Sequence, residues 1–253
     1  WKILLYSVTG VTIILSLPYL KAERIHFGEY YGFILLALSG MLVMVSAVDL
    51  LTIYLGTELM SISLYVMAGL NRSKPRSLEA SAKYFVLGAF SSGILLYGIS
   101  LLYGLAGSTK LVSIAGAIGP RGADDPLVLI ATILVAVGFG FKLAAVPFHM
   151  WTPDVYQGAP TSVTAFMAVA AKAASFAAFI RVFVEGLGGL KADWSILFLL
   201  ISIVTLLLGN VVAIVQTNIK RMLAYSSIVH AGYALIGFVA AGRGDGLSGG
   251  TPG

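Results

Sequence analysis

Four charged side chains fall inside long apolar stretches of the sequence: Glu58, Lys83, Lys142 and Lys172. A charged group at the centre of a lipid bilayer costs about 2.5–3.5 kcal/mol on insertion scales, so it needs a partner or a wet cavity. Carboxylates, desolvated lysines and histidines can take up and release a proton as neighbouring charges change. The chemistry that these residues predict is the movement of protons or ions.

Glu58 belongs to a polar stripe within the third apolar stretch. Tyr54, Glu58, Ser61 and Tyr65 are spaced four, three and four residues apart, which places them on one face of a helix. That face must look into the protein or into a wet cavity. We interpret Glu58 as a proton carrier, and the alternative is a buried carboxylate held in a fixed ion pair.

Lys172 lies at the middle of the sixth apolar stretch, within the alanine-rich segment 169–175. Its side chain is too short to reach the bilayer interface from that depth. The surrounding alanines allow neighbouring helices to approach closely. We interpret Lys172 as a desolvated proton carrier, and the alternative is a structural lysine.

Lys142 follows Gly138 and Gly140 and precedes Pro147 and His149. Glycine lowers helix stability and proline removes a backbone donor, so the fifth stretch is predicted to be discontinuous around Gly138–Lys142. Discontinuous helices at membrane depth line ion paths. A kinked but continuous helix is the alternative. His149 would share the face of Lys142 if the helix continued, and otherwise faces water at a helix end.

Lys83 and His230 are further candidates for the proton path. Glu79 precedes Lys83 by four residues, so a local ion pair at the membrane interface is the alternative for Lys83. His230 lies at the centre of the eighth stretch, where it is either a proton relay or a hydrogen-bonded structural histidine. Its helical face also carries hydroxyl groups, from Ser226, Ser227 and Tyr233.

The composition is that of a membrane protein. The 253 residues are 58% hydrophobic and 11% charged, against about 45–50% and 25% in soluble domains. The absence of cysteine excludes disulfides, thiolate metal sites and iron–sulfur clusters in this chain. The sequence has no nucleotide-binding glycine pattern, metal-ligand spacing or basic run, so we expect no bound cofactor or metal and no nucleic-acid partner, despite a net charge of +5.

Eight apolar stretches have about the 20 residues that a bilayer-spanning helix needs, and they cover residues 3–20, 30–48, 50–70, 80–106, 126–148, 160–185, 194–215 and 222–241. The predicted fold is an all-α polytopic transmembrane helix bundle over residues 1–241, followed by a polar glycine-rich tail or loop at 242–253. Ser77, Asp125 and Asp193 are predicted to cap helices. Because the sequence starts without methionine and ends in glycine-rich residues, we expect a piece of a longer membrane protein.

Loop charges indicate an orientation in the membrane. The loops 21–29, 71–79 and 216–221 share one side and carry seven basic residues, against six basic and six acidic residues on the other side. Cytoplasmic loops carry the excess of lysine and arginine. We therefore predict that these three loops are cytoplasmic.

Four sequence blocks and Lys172 resemble one family closely. The blocks are 58–65, 79–92, 218–227 and the long stretch 141–161, which reads FKLAAVPFHMWTPDVYQGAPT. Together they resemble the antiporter-like, proton-translocating subunits of bacterial respiratory complex I, and among these the subunit N family, which includes NADH dehydrogenase subunit 2. The resemblance covers nearly the whole chain.

This resemblance implies that the eight stretches are the third to tenth helices of an antiporter-like fold. It implies an interacting Glu58–Lys83 pair, makes Lys142 the lysine of the first discontinuous helix and makes Lys172 the central lysine that passes the proton on. His230 would lie on the connecting axis. The inverted second repeat of the family, with its own broken helix and lysine, has no match in the sequence.

The resemblance further implies a multi-pass subunit of a proton-translocating NADH:quinone oxidoreductase in the bacterial inner membrane, in contact with the lipid bilayer and other membrane subunits of complex I. NAD, FMN, iron–sulfur clusters and quinone are expected in other subunits, and quinone reduction there is expected to drive proton transfer here. Two alternatives stay open. One is a subunit of a multisubunit cation/proton antiporter or membrane-bound hydrogenase, and the other is a structural membrane subunit without its own proton path.

Overall fold

A computed structural model describes residues 1–23, 25 and 28–243 of the chain. The positions 244–253, which make up most of the predicted glycine-rich tail, lie outside the described residues, whereas positions 242 and 243 belong to the last helix rather than to a tail. The described helices are α1 (Lys2–Ala22), α2 (Gly28–Ser46), α3 (Leu50–Ala68), α4 (Pro75–Ala106), α5 (Leu111–Ile118), α6 (Pro126–Leu143), α7 (Trp151–Gly158), α8 (Thr161–Gly186), α9 (Lys191–Ile214) and α10 (Ile219–Arg243).

The predicted all-α architecture is confirmed. Within the described part of the chain, eight helices are long and apolar enough to cross a membrane, and α5 and α7 are the two short exceptions. Asp125 caps α6 as predicted, because its carboxylate accepts the Leu127 N–H at 2.9 Å. The other two predicted caps are wrong. α4 begins at Pro75 and the Ser77 hydroxyl donates instead to the Ala68 carbonyl, while Asp193 lies inside the first turn of α9.

Backbone contact between α2 and α3 sets the position of Glu58 in the bundle. A Cβ on Gly40 would lie 2.5 Å from the Met60 nitrogen and 2.6 Å from the Gly56 oxygen, and a Cβ on Gly56 would lie 2.7 Å from the Met44 nitrogen. These distances leave no room for any side chain. Two glycines therefore let the helices touch, as small residues do in membrane interfaces.

The fifth apolar stretch is discontinuous, but the break lies after Lys142 rather than at the glycines. α6 runs through Gly138 and Gly140 and ends at Leu143, and Ala144 adopts a left-handed conformation with φ of 59°. The glycines serve packing instead. A Cβ on Gly138 would lie 2.5 Å from the Leu95 Cβ of α4, and one on Gly140 would lie 2.7 Å from the Phe148 ring.

Other groups of the protein form hydrogen bonds with the backbone N–H and C=O groups where α6 ends. The Val146 N–H donates to the Thr205 hydroxyl of α9 at 3.0 Å, and the Trp151 indole donates to the Phe141 carbonyl at 3.1 Å. The Ala145 N–H donates to the Gly140 carbonyl at 2.9 Å. An irregular segment at membrane depth is tolerated only with such partners. The break consequently has a fixed geometry, and it leaves Lys142 in the last turn of α6.

α8 contains two π-helical turns that the apolar pattern did not indicate. One covers Met167–Ala171, directly before Lys172, and the other covers Val182–Gly186. A π-helical turn inserts an extra residue and changes the direction of the side chains that follow. The direction in which Lys172 points therefore depends on this local irregularity.

The α2–α3 contact gives a prediction about stability. Gly40→Ala should lower the thermal unfolding midpoint of the full-length protein in detergent, because the new methyl group meets backbone atoms that cannot move independently; overpacking of this kind costs about 1–3 kcal/mol. Gly32→Ala in the same helix is the control, since a Cβ there meets nothing within 4 Å. It should leave the midpoint unchanged or raise it. Equal midpoints for the two variants would contradict the packing argument.

Candidate functional site

Lys142 lies in a buried polar cluster formed by α3, α4 and α6. Its side chain is 5% exposed, and its ammonium donates to the Ser61 hydroxyl at 2.8 Å and to the Ser92 hydroxyl at 3.4 Å. The Ser92 hydroxyl in turn donates to the Glu58 carboxylate at 2.5 Å. The ammonium and that carboxylate are 3.9 Å apart. Ser92 therefore bridges an acid and a base with one hydroxyl group.

The charges in this cluster stabilise each other. Removing one partner of a buried pair leaves an uncompensated charge and costs about 3–5 kcal/mol. Glu58 is the less buried partner, with 22% of its side chain exposed. The cluster is thus asymmetric, with a lysine sealed inside the bundle and a carboxylate closer to its edge.

Tyr65, the last residue of the predicted stripe, is packed close to α4. It is buried, and its hydroxyl has no hydrogen-bond partner among the described residues. A Cβ on Gly88 would lie 2.1 Å from that hydroxyl. The Tyr65 ring contacts Tyr84 edge-on at 4.6 Å, and Tyr84 stacks on Trp151 at 4.5 Å. These aromatic contacts join the stripe on α3 to the helix that follows the break.

The structure does not form the Glu58–Lys83 pair that the resemblance implied. Within the described residues, Lys83 pairs with Glu79 at 2.6 Å, which is the local alternative, and with Asp154 at 2.8 Å. The reason is the register of α3 against α4. Ser92 lies level with Glu58, and Lys83 precedes Ser92 by nine residues, or about 13 Å of helix.

Lys172 and His230 line one cavity between α8 and α10. The Lys172 ammonium donates to the Ser227 carbonyl at 2.8 Å and to the Ser227 hydroxyl at 2.7 Å. The cavity has a volume of about 1090 Å³, and its remaining wall is largely apolar. The structure thus brings together the two candidates of the sixth and eighth stretches. No hydrogen bond or ion pair joins this cavity directly to the Lys142 cluster within the described residues.

His149 lies in the irregular segment after α6. The helix does not continue past Leu143, so His149 does not share a helical face with Lys142. Its ring lies 6.4 Å from that of Tyr225 on α10, and its buried Nδ1 has no hydrogen-bond partner among the described residues. The role of His149 in a proton path stays a prediction.

Three residues that the structure joins to these candidates were not singled out by sequence reasoning: Ser92, Asp154, and Arg221, which pairs with Asp154. Ser92 is one hydroxyl among several in α4, and Asp154 and Arg221 are ordinary charges near helix ends. Only the tertiary contacts identify them. No group of three potential metal ligands converges anywhere in the described part of the chain.

One family model matches most of the chain. It describes the membrane domain of the NADH:quinone oxidoreductase/Mrp antiporter family and covers residues 47–248. Subunit N of NADH-quinone oxidoreductase from Trichlorobacter lovleyi is 50% identical over 98% of this chain and 51% of its own length. Subunit N 2 from Rhizobium meliloti is 50% identical over 98% of this chain and 51% of its own length. The chain therefore spans about half the length of the curated relatives it matches.

Solved structures share the fold. A chain of respiratory complex I from Thermus thermophilus, determined with bound Aureothin, has a TM-score of 0.79 and 38% identity over 96% of this chain and 50% of that chain. A chain of the Mrp complex from Dietzia sp. has a TM-score of 0.80 over 94% of this chain and 44% of that chain, and its 24% identity indicates similarity of fold alone. On the matched sequence and the shared architecture, the chain belongs to the NADH:quinone oxidoreductase/Mrp antiporter membrane-domain family.

Proposed function

We propose that the chain provides one half of a proton path in a subunit N of a proton-translocating NADH:quinone oxidoreductase. The observation that carries this proposal is the chain of hydrogen bonds from Lys142 through Ser92 to Glu58. The 50% identity to proteins named as subunit N supports the choice of complex. A buried acid and base connected by a hydroxyl is the arrangement that proton transfer needs.

The proton step in this cluster balances in charge and atoms. The Lys142 ammonium gives a proton to the Ser92 oxygen while the Ser92 hydroxyl gives its own proton to Glu58. The products are a neutral amine and a neutral carboxylic acid, so no net charge is created inside the membrane. Ser61, which also accepts from Lys142 at 2.8 Å, holds the amine in place during the exchange.

The onward route leads to the second cluster, formed by Lys172, Ser227 and His230. Protons reach this cluster through water between α6 and α8, and quinone reduction elsewhere in the complex supplies the driving force by changing the charge near Glu58. Each proton moved against the membrane potential requires about 2.3 kcal/mol per 100 mV. A pair of clusters, each with its own lysine, allows the proton to move in two short steps.

The whole complex supplies what this chain does not carry. NAD, FMN, iron–sulfur clusters and quinone belong to other subunits in this proposal, and residues 1–241 form the antiporter-like domain in contact with the bilayer and neighbouring membrane subunits. The inner membrane is the location, with the loops 21–29, 71–79 and 216–221 on the cytoplasmic side. The identity to subunit N weighs against a multisubunit antiporter or hydrogenase, and the hydrogen-bonded acid–base chain weighs against a purely structural subunit.

Replacement of either buried lysine tests this function. Lys142→Met and Lys172→Met in the full-length subunit should each lower the number of protons pumped per electron severalfold in complexes reconstituted into vesicles. Lys110→Met is the control, because Lys110 is exposed and lies outside both clusters. Normal proton-to-electron ratios in fully assembled variant complexes would exclude these lysines from the path. Sodium uptake in place of proton pumping would support the antiporter alternative instead.

The bridging role of Ser92 predicts an effect on proton pumping that leaves quinone reduction unchanged. Ser92→Ala should slow proton pumping while quinone reduction in uncoupled membranes stays normal, because the lysine and the carboxylate then lack their shared hydroxyl. Ser92→Thr should retain most of the activity. Ser91→Ala is the matched control, since the neighbouring Ser91 hydroxyl is buried and has no hydrogen-bond partner in the part of the chain that the structure describes. Equal pumping rates in the two alanine variants would contradict the relay.

A second set of charges positions the short helix α7. The Asp154 carboxylate accepts from Lys83 of α4 at 2.8 Å and from Arg221 of α10 at 2.5 Å. Arg221 also donates to Gln157 at 3.2 Å. Burial opposes ionisation of the carboxyl, but the hydrogen bonds from Lys83 and Arg221 outweigh it and hold the pKa of Asp154 below its ordinary value of 3.8. Asp154 thus fastens the segment after the break to two spanning helices.

The depressed pKa of Asp154 gives a stability prediction with a defined sign. The stabilisation is complete above pH 3.8, the ordinary carboxyl value, and is lost as the pH falls through the lower folded-state pKa. Asp154→Asn should lower the thermal unfolding midpoint of the full-length subunit by a few degrees at pH 7, and the difference from wild type should shrink below pH 3.8. Asp124→Asn is the control, because Asp124 is exposed and contacts neither Lys83 nor Arg221 within the described residues. A difference that does not change with pH would mean that the charge of Asp154 is not what stabilises α7.

A further inference from the structure

A second cavity lies apart from both lysine clusters, at one edge of the bundle. It has a volume of about 630 Å³, within the range of about 300–1,000 Å³ typical of small-ligand sites. Its lining comes from the end of α1, the start of α4, the junction of α7 and α8, and the start of α10. Because the ends of the spanning helices α1, α4, α8 and α10 surround the cavity, we expect it to open at the level of the lipid headgroups. This is the side that the positive-inside rule predicts to be cytoplasmic.

The charge of the cavity favours an anion. Lys74, Arg76 and Lys220 line it, and Glu23 is the one carboxylate among the described lining residues. Glu23 pairs with Lys74, and neither of the other two basic side chains forms an ion pair with a carboxylate within the described residues. The Arg76 side chain is exposed and has no hydrogen bond or ion pair within the described residues, where the one hydrogen bond of the Lys220 ammonium is a long one of 3.4 Å to the Ala159 carbonyl.

Neutral donors complete the wall. The Tyr19 hydroxyl accepts the Thr161 N–H at 3.0 Å, so its own proton is free to be donated into the cavity. Asn71 and Ser73 also line the cavity, where Ser73 donates to Asn71 at 2.7 Å and Asn71 donates to Glu23 at 3.4 Å. A guanidinium, an ammonium and a phenol that come from three separate elements match the oxygens of a phosphate group.

The rigidity of the cavity comes from Gly158. A Cβ on Gly158 would lie 2.4 Å from the Arg76 carbonyl and 2.6 Å from the Ala80 side chain, so the end of α7 touches the first turn of α4. This contact fixes the backbone of Arg76 relative to the α7–α8 junction. The basic groups are therefore arranged around one space, and they do not extend independently into water.

We propose that this basic cavity binds a phosphate-bearing anion, and its position at the headgroup level favours an anionic phospholipid of the cytoplasmic leaflet. Such lipids are attracted by clustered lysine and arginine at that face. The site is separate from the proton path and binds its ligand in the absence of turnover.

The test uses the purified complex that contains the full-length subunit, in phosphatidylcholine nanodiscs with trace spin-labelled phosphatidylglycerol. The fraction of immobilised label reports binding. Arg76→Gln combined with Lys220→Gln should weaken the site about 30-fold, the effect of removing two interfacial charges. Lys21→Gln combined with Arg72→Gln is the matched control, because both residues are basic, lie on the same side and do not line the cavity. It should leave binding unchanged.

Two further measurements distinguish a lipid headgroup from a free anion and control for misfolding of the glutamine variant. Arg76→Lys combined with Lys220→Arg keeps the charges and should keep the binding. Labelled inorganic phosphate is titrated in parallel: binding of phosphatidylglycerol alone assigns the site to a lipid headgroup, and binding of phosphate that the glutamine variant abolishes assigns it to a free anion. The proposal is overturned if the glutamine variant binds the lipid as well as the wild type does and also binds phosphate as well as the wild type does. Loss of a neighbouring subunit from the glutamine variant, with lipid binding unchanged, overturns it in favour of a protein interface.

Discussion

The pairing of Lys142 with Glu58 is the interaction on which the rest of this structure depends. A charge in a low-dielectric interior is strongly destabilising unless another charge and hydrogen bonds compensate it. The compensation here needs three helices at once, since Glu58 and Ser61 come from α3, Ser92 from α4 and Lys142 from α6. The positions of these helices are therefore constrained by one buried ammonium.

The contacts around the cluster hold the helices in the positions that the buried Lys142 ammonium requires. Gly40 and Gly56 bring the backbones of α2 and α3 into contact, and Gly138 lets α6 approach the Leu95 side chain of α4. The end of α6 at Leu143 then leaves backbone groups that lipid could not satisfy, and Thr205 and Trp151 supply the hydrogen bonds. Close helix packing and a satisfied break together keep the lysine at a fixed distance from its carboxylate.

The second lysine differs from the first in its surroundings. Among the described residues, Lys172 donates to Ser227 alone, and it faces a large cavity that it shares with His230. Lys142 is enclosed by hydroxyls and a carboxylate. An enclosed ion pair favours a stable charge distribution, whereas a lysine beside an open cavity can exchange protons with whatever fills that space. This contrast fits a path in which one site holds the proton and the next releases it.

The sequence by itself determined the membrane location of the helices and the candidates within them, because apolar length and a charge inside it are local properties. It predicted eight spanning helices and named both lysines, Glu58 and His230. Tertiary structure alone decided the partners. Because of the register of α3 against α4, Glu58 pairs with Lys142, and Lys83 pairs with Asp154. Packing against Leu95 explains Gly138, which the sequence pattern had assigned to the helix break. Which groups meet across helices depends on relative rotation and translation, and these are set by the packing of whole surfaces rather than by any short stretch of residues.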